Sequence, residues 1–318
     1  MSASPTLTMR VQAMRYEARG VVSIELQDPA GAALPEFSPG AHIDLHLGNG
    51  LVRSYSLCGA PEARHSYTVG VLLDRGSRGG SRYIHEQLRV GATLPVGAPR
   101  NNFELDESAS HTVLVAGGIG VTPIVCMARR LHQLGRAFTL LYCARSREEA
   151  AFVAELQAYG DAVRMHFDAD AGGPPDLAGM LAGQDPDTHF YCCGPGPMLQ
   201  AFESACEAHG YPNVHIERFA ADPSVESVQE GEYAVSLAQS GMEVKVPAGK
   251  SLLDALLEAG IAVDYSCREG VCGSCETRVL EGEPDHRDGV LSKAERAANQ
   301  SMMVCVSGCK GKRLVLDL

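Results

Sequence analysis

Over its first hundred residues the chain alternates apolar and polar positions with a period of two. The clearest runs are VVSIELQD (21–28), HIDLHLG (42–48) and SYTVGVLLD (66–74), punctuated by SPG (38–40) and VGAP (96–99). Short strands at this spacing predict an antiparallel β-barrel, interrupted by one helix near Ser81 to Leu88. From about residue 107 the pattern changes. TVLVAGG (112–118), FTLLYCA (138–144), VRMHF (163–167), THFYCCG (188–194) and VHIERF (214–219) read as strands, with helical stretches at 123–134, 148–159 and 197–209. That alternation predicts a doubly wound parallel α/β sheet. ADPSVESVQEGE (221–232) is polar and lacks aromatics, as a linker does. Beyond it, AVSLA (234–238) and MEVKVP (242–247) predict a hairpin. SLLDALLEAG (251–260) predicts a helix capped by Ser251 and stopped by Gly260. ETRVLEG (276–282), MMVCV (302–306) and KRLVLDL (312–318) complete the strands. The expected organisation is a barrel over 1–106, an α/β domain over 107–220, a linker over 221–232 and a compact domain over 233–318.

Composition narrows the function classes. The 318 residues are 45% hydrophobic and 21% charged, as in ordinary globular proteins. No run approaches the roughly 20 apolar residues of a membrane span. The opening MSASPTLTMR lacks the apolar core of a signal peptide and reads as a short tail, so a cytoplasmic location and no membrane partner are expected. A net charge of −12 argues against nucleic acid. Eleven cysteines is an odd number for a disulfide framework, which leaves metal or redox use for any that cluster.

They do cluster. CREGVCGSC places Cys267, Cys272 and Cys275 in a C-x4-C-x2-C run, and Cys305 follows. Zinc sites usually pair cysteines or histidines at two-residue spacing, which only Cys272 and Cys275 satisfy. The run matches the plant-type ferredoxin spacing for a [2Fe–2S] cluster. Three thiolates must wrap one side of a small rhomb, and the glycines at 270 and 273 allow tight dihedrals and close N–H approach to sulfur. The cluster reading is favoured over zinc or inert thiols. Cys309 is read as a small packed residue.

A cluster of this kind moves single electrons, whereas nicotinamide delivers a hydride, so a flavin is expected to part the pair. Arg53-Ser54-Tyr55-Ser56 ends a strand-like run; by itself it is as readily plain strand. Gly79-Gly80-Ser81 opens a helix among Arg75, Arg78 and Arg82, which is either an anion seat or a glycine turn with a basic face. AGGIGVTPI (116–124) enters a helix from a strand without being the standard G-x-G-x-x-G fingerprint. YCCGP (191–195) lies at a strand end, where such sheets bind ligands, although a lone cysteine there is more often core.

Taken in order, RSYS, GGS, GGIGVTPI, CGP and the C-terminal cysteine run resemble the phthalate dioxygenase reductase family, over about residues 8–318. The resemblance implies a flavin barrel, a nicotinamide domain of ferredoxin-reductase type and a β-grasp ferredoxin domain. It implies FMN rather than FAD, with Arg53, Ser54, Tyr55, Ser56, Arg78, Gly80 and Ser81 at the flavin. Gly118, Gly120 and Thr122 fall in the nucleotide site, and Cys193, Gly194 and Pro195 beside the nicotinamide. Glu217 and Phe219 match a closing Glu-x-Phe whose ring covers the flavin; Cys193, Glu217, Phe219 and Thr122 are thus the catalytic candidates. The ligands implied for the cluster are Cys267, Cys272, Cys275 and Cys305. The implied function is that of an NADH-dependent reductase feeding a Rieske-type terminal oxygenase through a transient contact. NADH is expected over NADPH, since Glu148 and Glu149 would repel a 2′-phosphate, although Arg145 and Arg147 stand beside them. The rivals are the same relay serving a cytochrome P450 or other monooxygenase, and a non-enzymatic redox sensor.

Overall fold

A computed structural model describes residues 6–220 and 231–318. The expected linker falls, but for its last two residues, outside the described residues. By their contacts the described residues divide into two units, one ending at Glu217 and one running from Arg218 to Leu318.

The first unit begins with β1 (Thr6–Ala18), β2 (Val21–Gln27), β3 (His42–His46), β4 (Val52–Ser56), β5 (Tyr67–Leu72) and β6 (Thr93–Gly97), an antiparallel sheet in the order β4-β3-β6-β1-β2-β5. Just past β4, Leu57 pairs with Val69 and the Cys58 N–H donates to the Thr68 carbonyl at 2.9 Å, closing the sheet into a barrel. The alternation in sequence is the cause: Ile24, Leu26, Ile43, Leu45, Val69 and Val71 all point inward with no exposure. Helix α1 (Gly80–Glu86) adds Ile84 to the same core.

The second half of this unit is a parallel sheet of β7 (His111–Gly117), β8 (Ala137–Ala144), β9 (Val163–Phe167), β10 (His189–Cys193) and β11 (Val214–Glu217), ordered β11-β10-β7-β8-β9. Its helices are α2 (Val121–Gln133), α3 (Val153–Gln157), α4 (Asp168–Ala171), α5 (Leu177–Leu181) and α6 (Gly196–His209). Both faces are covered. Leu114, Tyr142 and Cys193 share a core with α2, whereas Val115, Cys143 and Cys192 share one with α6. The helix expected at 148–159 is broken. The Tyr142 hydroxyl accepts the Ala151 N–H at 3.0 Å, and Phe152 has φ 59°, a left-handed value that no α-helix continues through. Helices α4 and α5 were not foreseen, since four or five residues show no helical period.

Barrel and parallel sheet meet at a position that requires glycine. Gly70 lies between inward-facing Val69 and Val71, so it looks away from the barrel core. A Cβ there would stand 2.6 Å from Thr122 Cγ2 and 3.4 Å from the Phe152 ring. The Arg129 Nη1 donates to the Cys58 carbonyl at 2.9 Å across the same seam.

The second unit holds β12 (Tyr233–Leu237), β13 (Glu243–Val246), α7 (Leu252–Glu258), β14 (Glu276–Glu281), β15 (Pro284–Asp285), α8 (Lys293–Ala298), β16 (Ser301–Met303), β17 (Gly308–Cys309) and β18 (Arg313–Leu316). Five strands form a mixed sheet, β13-β12-β18-β14-β16, and β15 pairs separately with β17. The sheet grips α7 through buried Leu252, Leu253 and Leu256, as a β-grasp fold does. Ser251 caps α7 by accepting the Asp254 N–H at 3.1 Å, and Gly260 at φ 78° ends it. The expected strand MMVCV is shorter: Cys305 lies in a turn after β16, because the Val306 and Ser307 N–H groups fold back onto the Met303 carbonyl at 3.2 and 2.9 Å. No helix among the described residues is long and apolar enough to cross a membrane.

Substituting Gly70→Ala should destabilise the first unit by about 1–3 kcal/mol, as overpacking does. Adding Thr122→Ser, which removes the opposing methyl, should restore most of that loss. Urea unfolding of the single and double variants measures both.

Candidate functional site

Ligands of open α/β sheets bind beyond the carboxyl ends of the strands, where the strand order reverses. Here that point lies between β7 and β10. The turn after β7 carries Gly117, Gly118 and Gly120, and the turn after β10 carries Gly194 and Pro195; they pack directly on each other. A Cβ on Gly120 would overlap the Cys193 carbonyl oxygen. One on Gly117 would come within 2.5 Å of Met198 Sδ and 2.7 Å of Pro195 Cδ, and one on Gly194 within 2.9 Å of Met198 Sδ. Gly118 has φ 54°, a conformation glycine adopts without strain. No side chain caps the first turn of α2 or α6, which leaves backbone N–H groups and the positive ends of two helix dipoles facing the crevice.

Three side chains from three strand ends converge beside these turns. Ser56 Oγ, at the end of β4, donates to Glu217 Oε2 at 3.4 Å, and Cys193 Sγ donates to the same oxygen at 3.9 Å. Glu217 is partly covered as a residue but its carboxyl is enclosed, and burial pushes it up to about 8 against the weaker opposing bond from Ser56. Burial, then the Glu217 carboxyl, pushes the Cys193 thiol well up. The cluster is a proton-holding trio, not an activated thiolate.

On the barrel side, Gly80 is buried against Arg53: a Cβ there would meet Arg53 Cγ at 2.7 Å and Nε at 3.0 Å. The Ser77 hydroxyl accepts the Gly79 and Arg82 N–H groups at 3.2 and 3.3 Å and the Ser81 hydroxyl at 2.9 Å. Tyr55 shares the Arg53 side of β4, and burial pushes its phenol up to about 12, partly offset by the Arg53 charge. Ser54 faces the other way, its hydroxyl donating to Asp44 at 2.6 Å. The Arg100 guanidinium beside Asp44, with the Ser54 bond, outweighs burial and holds that carboxyl low.

In the second unit the four sulfurs form a string of close pairs: Cys267 with Cys272, Cys275 with Cys305, and Cys267 with Cys305. Cys267 is pushed down by the S–H groups of Cys272 and then Cys305, and Cys275 is pushed down by that of Cys305. Cys272 and Cys305 are pushed up by their bonds to Cys267. Four thiolates so crowded need cations to exist together. The pairs Cys267–Cys272 and Cys275–Cys305, linked through Cys267 and Cys305, suit a centre that presents two metal ions. Backbone donors also reach the sulfurs, Glu269 N–H to Cys267 at 3.3 Å and Cys267 N–H to Cys272 at 3.5 Å. Arg268 at φ 59° and Gly270 at φ 68° set the loop's curvature. Cys267 is partly exposed, and the other three are buried. Cys309 is buried on β17, its sulfur 3.6 Å from the Arg313 carbonyl.

The structure thus brings Ser56, Cys193, Glu217, Gly118, Gly120, Gly194 and Pro195 to one crevice. Arg53, Tyr55, Gly80 and Ser81 gather at one barrel turn, with Arg78 exposed on it. Thr122 is buried, its hydroxyl donating to the Ile119 carbonyl at 3.0 Å and its methyl against Gly70. Phe219 falls in the second unit and is 42% exposed. Sequence reasoning passed over Met198, Ser77 and Tyr142, whose hydroxyl donates to the Gly118 carbonyl at 3.3 Å. Tyr142 had a signal, since a phenol in a buried strand must find a partner.

Comparisons with known proteins bear on the family and the fold. A family model described as a 2Fe-2S iron-sulfur cluster binding domain matches residues 235–310. Another, described as the N-terminal domain of a dimethylamine monooxygenase subunit DmmA-like protein, matches 98–216. The chain is 49% identical to phenoxybenzoate dioxygenase subunit beta of Ectopseudomonas oleovorans, covering 100% of both. It resembles the structure of phthalate dioxygenase reductase, described as modular for electron transfer from pyridine nucleotides to [2Fe–2S], with a TM-score of 0.72 and 37% identity over 98% of each chain. It also matches an intact type IV self-sufficient cytochrome P450 monooxygenase, with a TM-score of 0.90 and 43% identity over 98% of this chain and 41% of that one. With a closed barrel, a nucleotide-type parallel sheet and a four-cysteine β-grasp domain in that order, the chain belongs to the phthalate dioxygenase reductase family of flavin- and iron–sulfur-dependent oxidoreductases.

Proposed function

We propose that the chain is the reductase component of a Rieske-type oxygenase, drawing electrons from NADH by way of FMN and a [2Fe–2S] cluster. The observation that carries this is the meeting of Ser56 with Cys193 and Glu217, because it joins the barrel's flavin-type strand to the nucleotide turns at one point. Bound flavin accepts a hydride and releases electrons singly, and the cluster carries one at a time. Arg53, Arg78, Gly80 and Ser81 would hold the flavin phosphate, Tyr55 the ring and Ser56 its polar edge. The uncapped turns at Gly118–Gly120 and Gly194–Pro195 would seat the nucleotide pyrophosphate and nicotinamide, with Thr122 fixing the first turn from behind. Burial favours the protonated form of the Glu217 carboxyl beside Cys193 and so keeps fixed negative charge away from the point of hydride transfer. The density of arginines at one turn supports FMN, whose terminal phosphate carries nearly two charges.

For NADH over NADPH, the support is that the Arg147 guanidinium stacks on Phe167 at 4.6 Å, with Glu148 exposed beside it. The acceptor is a terminal oxygenase met transiently. A second reading replaces it with a cytochrome P450, because a P450 chain carries a closely similar module. Among the described residues none of the eleven cysteines forms a disulfide, which fits a reducing cytoplasm.

Three outcomes test this. Cys272→Ser should lose one-electron reduction of cytochrome c or the oxygenase while NADH oxidation with ferricyanide continues; loss of both in a folded variant reverses the order of the relay. The kcat/KM for NADH should exceed that for NADPH by at least about tenfold. Glu217 carries a folded-state value near 8 against an ordinary 4.5, so the folded chain holds a proton that the unfolded chain releases between them. Stability of flavin-free protein should therefore fall as pH rises from about 5 to about 8, and Glu217→Gln should flatten that fall in urea titrations.

A further inference from the structure

We infer that Asp288, far from the cysteine run in sequence, is a positioning residue for the cluster: it ties the three-cysteine loop to the turn bearing Cys305 and places a buried negative charge beside them. The inference rests on the cluster-binding role of the second unit.

The segment 284–291 runs between the two halves of the ligand set and is fastened to both. On the Cys305 side, β15 pairs with β17, Pro284 opposite Cys309 and Asp285 opposite Gly308. The Arg287 N–H donates to Ser307 Oγ at 3.2 Å, and that hydroxyl lies 3.5 Å from Asp288 Oδ1. On the loop side, the Gly289 N–H donates to the Gly270 carbonyl at 2.8 Å. Gly270 sits midway between Cys267 and Cys272, and its face is filled: a Cβ there would be 2.6 Å from Val306 Cγ2 and 3.0 Å from Asp288 Cα. The loop, the Cys305 turn and Asp288 thus share one van der Waals contact.

The Asp288 side chain is fully covered. Its Oδ2 accepts the Val290 and Leu291 N–H groups at 3.1 and 2.8 Å, which folds the segment into the turn that presents Gly289 to the loop. Arg296 donates to the Asp288 carbonyl, and its guanidinium lies 3.9 Å from Oδ2; His286 Nδ1 lies 3.8 Å from Oδ1. Among the described residues neither His286 Nδ1 nor Arg296 Nε has a hydrogen-bond partner, and both belong to side chains that flank the carboxylate. Outer-shell groups of this kind orient ligands and tune a metal centre. Reduction adds negative charge to the cluster, and a buried carboxylate next to its loop opposes that addition.

The test uses the full-length holoprotein. Asp288→Asn keeps the shape and removes the charge; the cluster's midpoint potential should rise, the EPR spectrum of the reduced cluster should change, and iron loss to a chelator should quicken about tenfold. A wild-type potential together with a wild-type rate of iron loss overturns the inference. Ser307→Ala cuts the bridge and keeps the carboxylate, so it should hasten iron loss with the potential in place; unchanged iron loss overturns the inference even if Asp288→Asn fails to fold. Wild-type protein lacking acid-labile sulfide would instead overturn the cluster assignment beneath it.

Discussion

The arrangement of the first unit depends on a place where side chains are not allowed. The turns after β7 and β10 touch because Gly117, Gly120 and Gly194 carry no Cβ, and any larger residue would collide with backbone or with Met198. That contact sets the width of the crevice, fixes the two uncapped helix starts beside each other and carries Cys193 to within reach of Glu217. Gly70 does the same at the barrel seam, letting Thr122 and Phe152 close on β5. Backbone approach, more than any single bond, aligns the two halves.

The fold was readable because its signals were regular. Period-two alternation announced β2, β3 and β5, and continuous apolar runs announced β7, β8 and β10, whose two faces are both covered. The reading failed where tertiary contacts override local pattern. Residues 148–159 look helical, yet Tyr142 from β8 captures the Ala151 N–H and Phe152 turns left-handed. MMVCV looks like a strand, yet the chain turns at Val304 so that Cys305 can face the loop.

The site was legible to the same degree. Spacing exposes a cysteine run and a glycine-rich turn, so Cys267, Cys272, Cys275 and the GGIG and CGP turns stood out. Groups that act by contact across the fold leave no spacing. Ser54 belongs to a motif by sequence, but strand alternation turns it to Asp44, away from Arg53 and Tyr55. Asp288 sits in an unremarkable polar stretch, and Ser77 in one that stands out for its glycines and arginines; the partners of both appear once the chain is folded.

Met198 has no chemistry to perform, yet its sulfur occupies the gap against Gly117 and Gly194. Thioethers are the side chains most readily converted to sulfoxides. An oxygen added at Sδ would need room that not even a methyl finds there, and would wedge the two turns apart. Oxidation at Met198 would thus distort the crevice through a spacer, with no chemistry of its own, rather than through Cys193 or Glu217.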